Sequence, residues 1–221
     1  DNLDEALKKI KNNYPIQYLI GYVDFYNTKI NVNESVLIPR FETELLVDKT
    51  VKILKSKNYS TLIDICTGSG AIAIALKKNL NLEIDACDIS VDALEVAKNN
   101  ANENNVSINF FECDILNENI SKKYDVIISN PPYVKEDEFV SPETKFEPDI
   151  ALYAKHNGLE FYENILKKAN NSLKPNGMII FEIGATQSEE IKKIALSYFP
   201  NSKITIEKDY NNYDRFMFIE T

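Results

Sequence analysis

From Thr61 onward, short apolar runs alternate with longer stretches in which apolar residues recur every three or four positions. The first pattern suits strands, and the second suits helices packed on one face. Residues 61–65, 83–87, 107–111, 124–129 and 178–183 read as five strands. The Val126-Ile127-Ile128 centre of the fourth lacks polar alternation, which predicts burial on both faces. Helices are predicted over 71–78, from Ser90 as N-cap, over 158–173 and over 189–199. The second turns Ala93, Leu94, Ala97 and Ala101 inward, and the third turns Leu159, Tyr162, Ile165, Leu166 and Ala169 inward. Residues 99–105 read as the polar end of a helix with its exit turn, and Pro175-Asn176-Gly177 reads as a turn. Residues 203–207 and 215–219, with a short connection, predict an antiparallel hairpin. This alternation implies a mostly parallel sheet covered by helices.

The chain before Thr61 differs. A helix is predicted over 3–11, a hairpin over 23–32 with Asn27 at its turn, and a helix over 42–54 with Val47, Val51 and Leu54 inward. This segment is expected to pack onto the α/β core as an extension too small to fold alone.

Composition narrows the function classes. With 25 basic and 34 acidic residues the net charge is −9, which speaks against a protein that coats nucleic acid. The longest purely apolar run, Ala71 to Leu76, is too short to span a bilayer, so no membrane association is expected. The first residues, Asp1-Asn2-Leu3-Asp4-Glu5, are unlike a signal peptide. Three cysteines without framework spacing suit a reducing, cytoplasmic setting. Cys66, Cys87 and Cys113 all fall at strand ends, but their spacing matches no zinc pattern, so no metal is expected. His156, the single histidine, sits in a polar loop and receives no catalytic role.

Ligands of open parallel sheets bind beyond the carboxyl ends of the strands. The first strand ends in Asp64-Ile65-Cys66-Thr67-Gly68-Ser69-Gly70, where glycines permit a tight turn and close backbone approach. The second ends in Asp88, placed to bind two ribose hydroxyls. The third ends in Cys113-Asp114-Ile115, a carboxylate for an adenine amino group beside an apolar side chain. Each acid alone is more often a helix cap or a solvated loop residue than a ligand group. Three such features in succession point to a nucleoside-containing ligand.

The fourth strand ends in Asn130-Pro131-Pro132-Tyr133. Two prolines make a rigid turn, but the tetrapeptide also has the parts for one chemistry. An amide or aromatic-amine nitrogen is a poor nucleophile because its lone pair is delocalised. The Asn130 side-chain oxygen and the Pro131 carbonyl can accept both N–H bonds of a planar NH₂ group and favour its pyramidalisation during attack. The Tyr133 ring can stack on the flat group.

Residues 61–133 thus resemble a class I S-adenosylmethionine-dependent methyltransferase of the NPPY type. That tetrapeptide also occurs in enzymes acting on exocyclic amines of adenine or other bases in RNA or DNA. Upstream, Pro15-Ile16-Gln17-Tyr18-Leu19-Ile20-Gly21, Phe25 and Val36-Leu37-Ile38-Pro39-Arg40-Phe41-Glu42-Thr43-Glu44 resemble the HemK-type release factor glutamine methyltransferases. Phe146-Glu147-Pro148, Asn157-Gly158-Leu159 and Phe181-Glu182-Ile183-Gly184 match the same family. The resemblance implies a Rossmann-like α/β fold, a seven-stranded mostly parallel sheet with an antiparallel last strand, and a small N-terminal helix and hairpin extension. It divides the chain into a remnant of a helical domain (1–13), a hairpin linker (14–41) and the methyltransferase domain (42–221).

It also implies transfer of a methyl group to N5 of the glutamine in the Gly-Gly-Gln loop of class I peptide chain release factors, by a monomer that leaves S-adenosylhomocysteine. Carried over by position, Cys66, Thr67, Gly68, Ser69 and Gly70 hold the methionine part of S-adenosylmethionine, Asp88 the ribose, and Asp114 and Ile115 the adenine. Asn130 lies beside both cofactor and substrate, and Asn130, Pro131, Pro132 and Tyr133 grip the glutamine, with Asn130, Pro131 and Tyr133 catalytic. Arg40 and Glu42 belong near the rim, where Arg40 is equally a structural ion-pair partner. Two departures stand out: Cys66 replaces a customary glycine, and residues 1–13 are all that corresponds to the helical domain. A silent cofactor-binding scaffold is the reading that intact Asp88 and Asn130 oppose.

Overall fold

The structure, a computed structural model, describes residues 2–221; Asp1, the first residue of the expected helical remnant, lies outside them. The extension comprises α1 (Asn2–Lys11), α2 (Ile16–Ile20), β1 (Tyr22–Phe25) and β2 (Thr28–Asn31). Tyr26 and Asn27, at φ 44° and 58°, make the left-handed two-residue turn that a twisted hairpin favours. After α3 (Phe41–Leu54) come β3 (Thr61–Ile65), α4 (Ala71–Asn79), β4 (Glu83–Asp88), α5 (Val91–Glu103), β5 (Asn109–Glu112) and β6 (Tyr124–Ser129). A loop with 3-10 turns at Pro142–Phe146 and Asp149–Ala151 leads to the single turn α6 (Lys155–Gly158). The chain continues through α7 (Glu160–Ser172), β7 (Leu173–Glu182), α8 (Ser188–Tyr198), β8 (Lys203–Lys208) and β9 (Asp214–Glu220).

Seven strands form one sheet in the order β5-β4-β3-β6-β7-β9-β8, in which only β9 runs against its neighbours. Alternate residues of the central strands build two cores. Leu62, Val126, Ile128 and Ile180 meet α3, α4 and α5 on one face. Ile63, Ile127, Ile179 and Phe181 meet Tyr162, Ile165, Leu166, Ile191 and Ala195 of α7 and α8 on the other. Each such fully buried aliphatic residue contributes about 1.5–3 kcal/mol. Tyr18, Phe25, Ile30, Val36 and Ile38 join the first core, so the extension shares its apolar interior with the sheet. Among the described residues no helix is long and apolar enough to cross a membrane.

Three local expectations change. β7 starts at Leu173, and the predicted turn is a bulge inside it. Tyr124 pairs with Leu173 and Val126 with Met178, so residues 174–177 are extruded, with Asn176 at φ 59°. α7 begins two residues late because Gly158, following left-handed His156 and Asn157, is itself left-handed at φ 81°, and Leu159 serves as the N-cap. Asn100, inside the supposedly polar helix end, is fully buried.

Candidate active site

The turn after β3 is held from three sides. Cys66, Gly68 and Gly70 have φ of 61°, 54° and 81°, so Cys66 adopts a conformation that ordinarily favours glycine. The Thr67 hydroxyl donates to the buried Asp64 carboxyl at 2.6 Å. Burial pushes that carboxyl up to about 7, against the opposing Thr67 hydrogen bond. Gly70 lets α5 approach, since a Cβ there would lie 3.1 Å from Ala97 Cβ. The Asn100 amide donates to the carbonyls of Ser69 at 2.9 Å and Asn31 at 3.0 Å, and accepts from the Asn31 N–H at 2.8 Å. It thereby ties hairpin, turn and helix together.

Asp88, closing β4, accepts from the N–H groups of Gly68 at 2.8 Å and Ser90 at 3.0 Å. Burial raises its pKa, and those N–H groups oppose the rise. Ser90 also caps α5 through Ala93 N–H, as expected. Asp114 is held below the usual carboxylate range, chiefly by the Asn117 amide at 2.7 Å. Lys168 of α7 donates to the Ile115 carbonyl. Cys66, Thr67, Gly68, Ser69, Asp88, Asp114, Ile115, Asn130 and Pro132 line one cavity, with Ile89 and Phe161 adding apolar wall.

A second cavity, of about 730 Å³, opens beside it between the extension and the loop before α6. Tyr14, Pro15 and Gln17 face Val140, Ser141 and Thr144 across it, and Asn130, Tyr133 and Glu182 also line it. Arg40 and Asn130 belong to both cavities. Arg40 pairs with Glu147 at 2.5 Å, and the other Glu147 oxygen accepts from the Ile38 N–H at 3.0 Å. The Glu147 side chain is 1% exposed, so this charge-assisted bond compensates a buried carboxylate.

Asn130 Nδ2 donates to Thr43 Oγ1 at 3.4 Å, and Thr43 Oγ1 donates to Glu182 Oε2 at 2.7 Å. Tyr133 donates to Glu182 Oε1 at 3.3 Å. Burial lifts the Glu182 carboxyl to about 7, with the Thr43 hydrogen bond and Arg215 charge opposing and the Glu42 charge reinforcing. Burial also raises the Tyr133 phenol. Gln187 donates to the carbonyls of Tyr133 and Asn157, each at 3.1 Å, and pins the tetrapeptide from below.

Gly70, Pro131 and Glu42 line neither cavity: Gly70 faces α5, Pro131 is buried, and Glu42 acts on Glu182 by its charge. Cys87 and Cys113 are buried in the second core, with Cys66 packed against it. Among the described residues no three His, Cys, Asp or Glu side chains are grouped to hold a metal. His156 is exposed and pairs with Glu163 at 2.8 Å. Sequence reasoning missed Thr43, Asn100, Glu147 and Gln187 as site supports. It assigned no task to Glu182, although a carboxylate closing an apolar strand is the signal that marked Asp88.

Residues 41–144 match the methyltransferase small domain family. The release factor glutamine methyltransferase of Enterococcus faecalis is 38% identical over 224 residues, spanning 100% of this chain and 80% of that protein. The Staphylococcus aureus enzyme of the same name is 40% identical over 218 residues, spanning 96% and 78%. The crystal structure of ribosomal protein L11 methylase from Lactobacillus delbrueckii superposes with a TM-score of 0.64 at 20% identity, covering 86% of this chain and 84% of that one, a likeness of fold alone. With that identity sustained along the whole chain, the protein belongs to the release factor glutamine methyltransferase family.

Proposed function

We propose that this protein transfers a methyl group from S-adenosylmethionine to the side-chain amide nitrogen, N5, of the glutamine in the Gly-Gly-Gln loop of peptide chain release factors. One observation carries the reading: Asn130 stands where the two cavities adjoin, so methyl donor and acceptor amide can meet at its side chain.

The first cavity fits the cofactor. Gly68 leaves open space where a Cβ would stand, and Asp88 is fixed by two main-chain N–H groups. Asp88 would bind the ribose hydroxyls, Asp114 and Ile115 would flank the adenine, and Cys66, Thr67, Gly68 and Ser69 would enclose the methionine part. The cofactor supplies an electrophilic methyl group on a positively charged sulfur.

The chain's own residues prepare the nucleophile. Asn130, which lines both cavities, accepts one amide N–H bond at Oδ1, holds the nitrogen in line and favours its pyramidal form; the Pro131 carbonyl, which lines neither cavity, would accept the second N–H only once the amide is seated against the tetrapeptide. Tyr133 covers the planar amide. The amide proton leaves after alkylation, when the nitrogen is cationic and strongly acidic, so attack requires no base of matched pKa.

The test offers labelled S-adenosylmethionine with a release factor, its Gln→Ala variant, bulk DNA and ribosomal RNA. Label on the factor that disappears in the variant is expected. Label on nucleic acid instead would replace the glutamine reading with one for exocyclic amines.

A further inference from the structure

We propose that Thr43 and Glu182 are positioning residues for methyl transfer: they fix the Asn130 amide with its oxygen toward the acceptor amide. The inference rests on the glutamine-amide reading above. An asparagine amide has two ends of similar shape and opposite hydrogen-bonding polarity. Only one orientation serves the reaction. Reversed, it sets its own N–H groups against those of the substrate.

A hydroxyl alone does not select between the two ends, because it both donates and accepts. Here its proton is committed. Thr43 is 4% exposed and donates to Glu182 Oε2 at 2.7 Å, and Glu182 is 2% exposed. An ionised carboxylate only accepts, so Thr43 Oγ1 keeps only lone pairs for Asn130. Asn130 answers with Nδ2 at 3.4 Å, which leaves Oδ1 free. The other Glu182 oxygen takes the Tyr133 phenol at 3.3 Å. One carboxylate closing β7 thus orients both polar side chains of the tetrapeptide, one of them through the first turn of α3.

The selection depends on the Glu182 charge. Around it stand Arg215 of β9, which favours ionisation, and Glu42 of α3, which opposes it. Tyr133 and Thr43 donate to the carboxylate, while Tyr162 of α7 donates to the Glu182 main-chain carbonyl at 2.8 Å. The carboxyl is lifted to about 7. Below that pH it carries a proton it can give to Thr43, and the hydroxyl no longer discriminates. Turnover is therefore expected to fall on the acid side of neutrality.

The experiment measures methylation of a purified release factor by wild type, Thr43→Val, Thr43→Ser, Glu182→Gln and Asn130→Ala across pH, with cofactor affinity by calorimetry. Thr43→Val, a near-isostere, is expected to lower kcat about tenfold or more with cofactor Kd within about twofold. Thr43→Ser restores most of the rate, and Glu182→Gln removes the acid limb of the kcat profile. A packing role alone would not move that limb. Wild-type kcat in Thr43→Val, no rescue by Thr43→Ser, or an acid limb that survives Glu182→Gln each overturns the relay. Inactive Asn130→Ala beside normal Thr43→Val removes the relay alone; active Asn130→Ala removes the chemistry it serves.

Discussion

Replacing Asn100 with leucine tests how the extension is joined to the sheet. The substitution keeps the approximate shape and deletes three hydrogen bonds to main-chain groups: the Asn31 N–H, the Asn31 carbonyl and the Ser69 carbonyl. A buried polar group left without a partner costs about 1–3 kcal/mol. Ser69 is 3% exposed and bears the central value of about 2 kcal/mol. Asn31 is half-buried, so water re-solvates its two groups and each loses only about 0.5 kcal/mol. The sum is about 3 kcal/mol. At about 2–4 °C per kcal/mol for a domain of this size, Tm falls by about 6–12 °C. Urea unfolding followed by circular dichroism gives the free energy directly. Asn100→Asp is the control of opposite polarity: it still accepts from the Asn31 N–H but faces two carbonyls with an acceptor. A loss under about 1 kcal/mol in Asn100→Leu, or wild-type stability in Asn100→Asp, would refute the accounting.

Three further outcomes are expected. Asp88→Ala removes the acceptor of the Gly68 and Ser90 N–H groups along with the proposed ribose partner, and is expected to raise the cofactor Kd about 30-fold, near 2 kcal/mol, by calorimetry. Gly158→Ala places a Cβ 2.2 Å from the Tyr133 carbonyl oxygen at φ +81°; the tetrapeptide must shift, so Tm and kcat both fall, and normal kcat would show that Gly158 does not set that loop. Asp64, lifted to about 7 by burial, holds its proton in the folded state between the unfolded carboxylate value of about 4 and 7, so its contribution to stability is full below about pH 4 and declines as pH rises to 7. Asp64→Asn is expected to flatten that slope in denaturation curves, and an unchanged slope would contradict the shift.

Sequence pattern located the main strands because central parallel strands are apolar throughout. Residues 126–128 are buried as their pattern predicts, and Asp88 closes its strand where the pattern puts it. It failed where the deciding partner is remote. Asn100 looks like solvent-facing helix, yet its partners are main-chain groups of Asn31 and Ser69. Arg40 had no visible partner until the fold brought Glu147, 107 residues on, against it. Thr43 reads as one more polar residue opening a helix, and only the end of β7 reveals its use. Pro175-Asn176-Gly177 carries a true turn signal, but pairing with β6 resumes on both sides of it, so the strand absorbs it.

The Glu147 contact has one further consequence. Because its carboxylate holds both the Arg40 guanidinium and the Ile38 amide, that amide proton can exchange with solvent only when the loop before α6 parts from the segment before α3. Deuterium uptake at Ile38 therefore times the breathing of the wider cavity from a single backbone position, without any label on the incoming substrate.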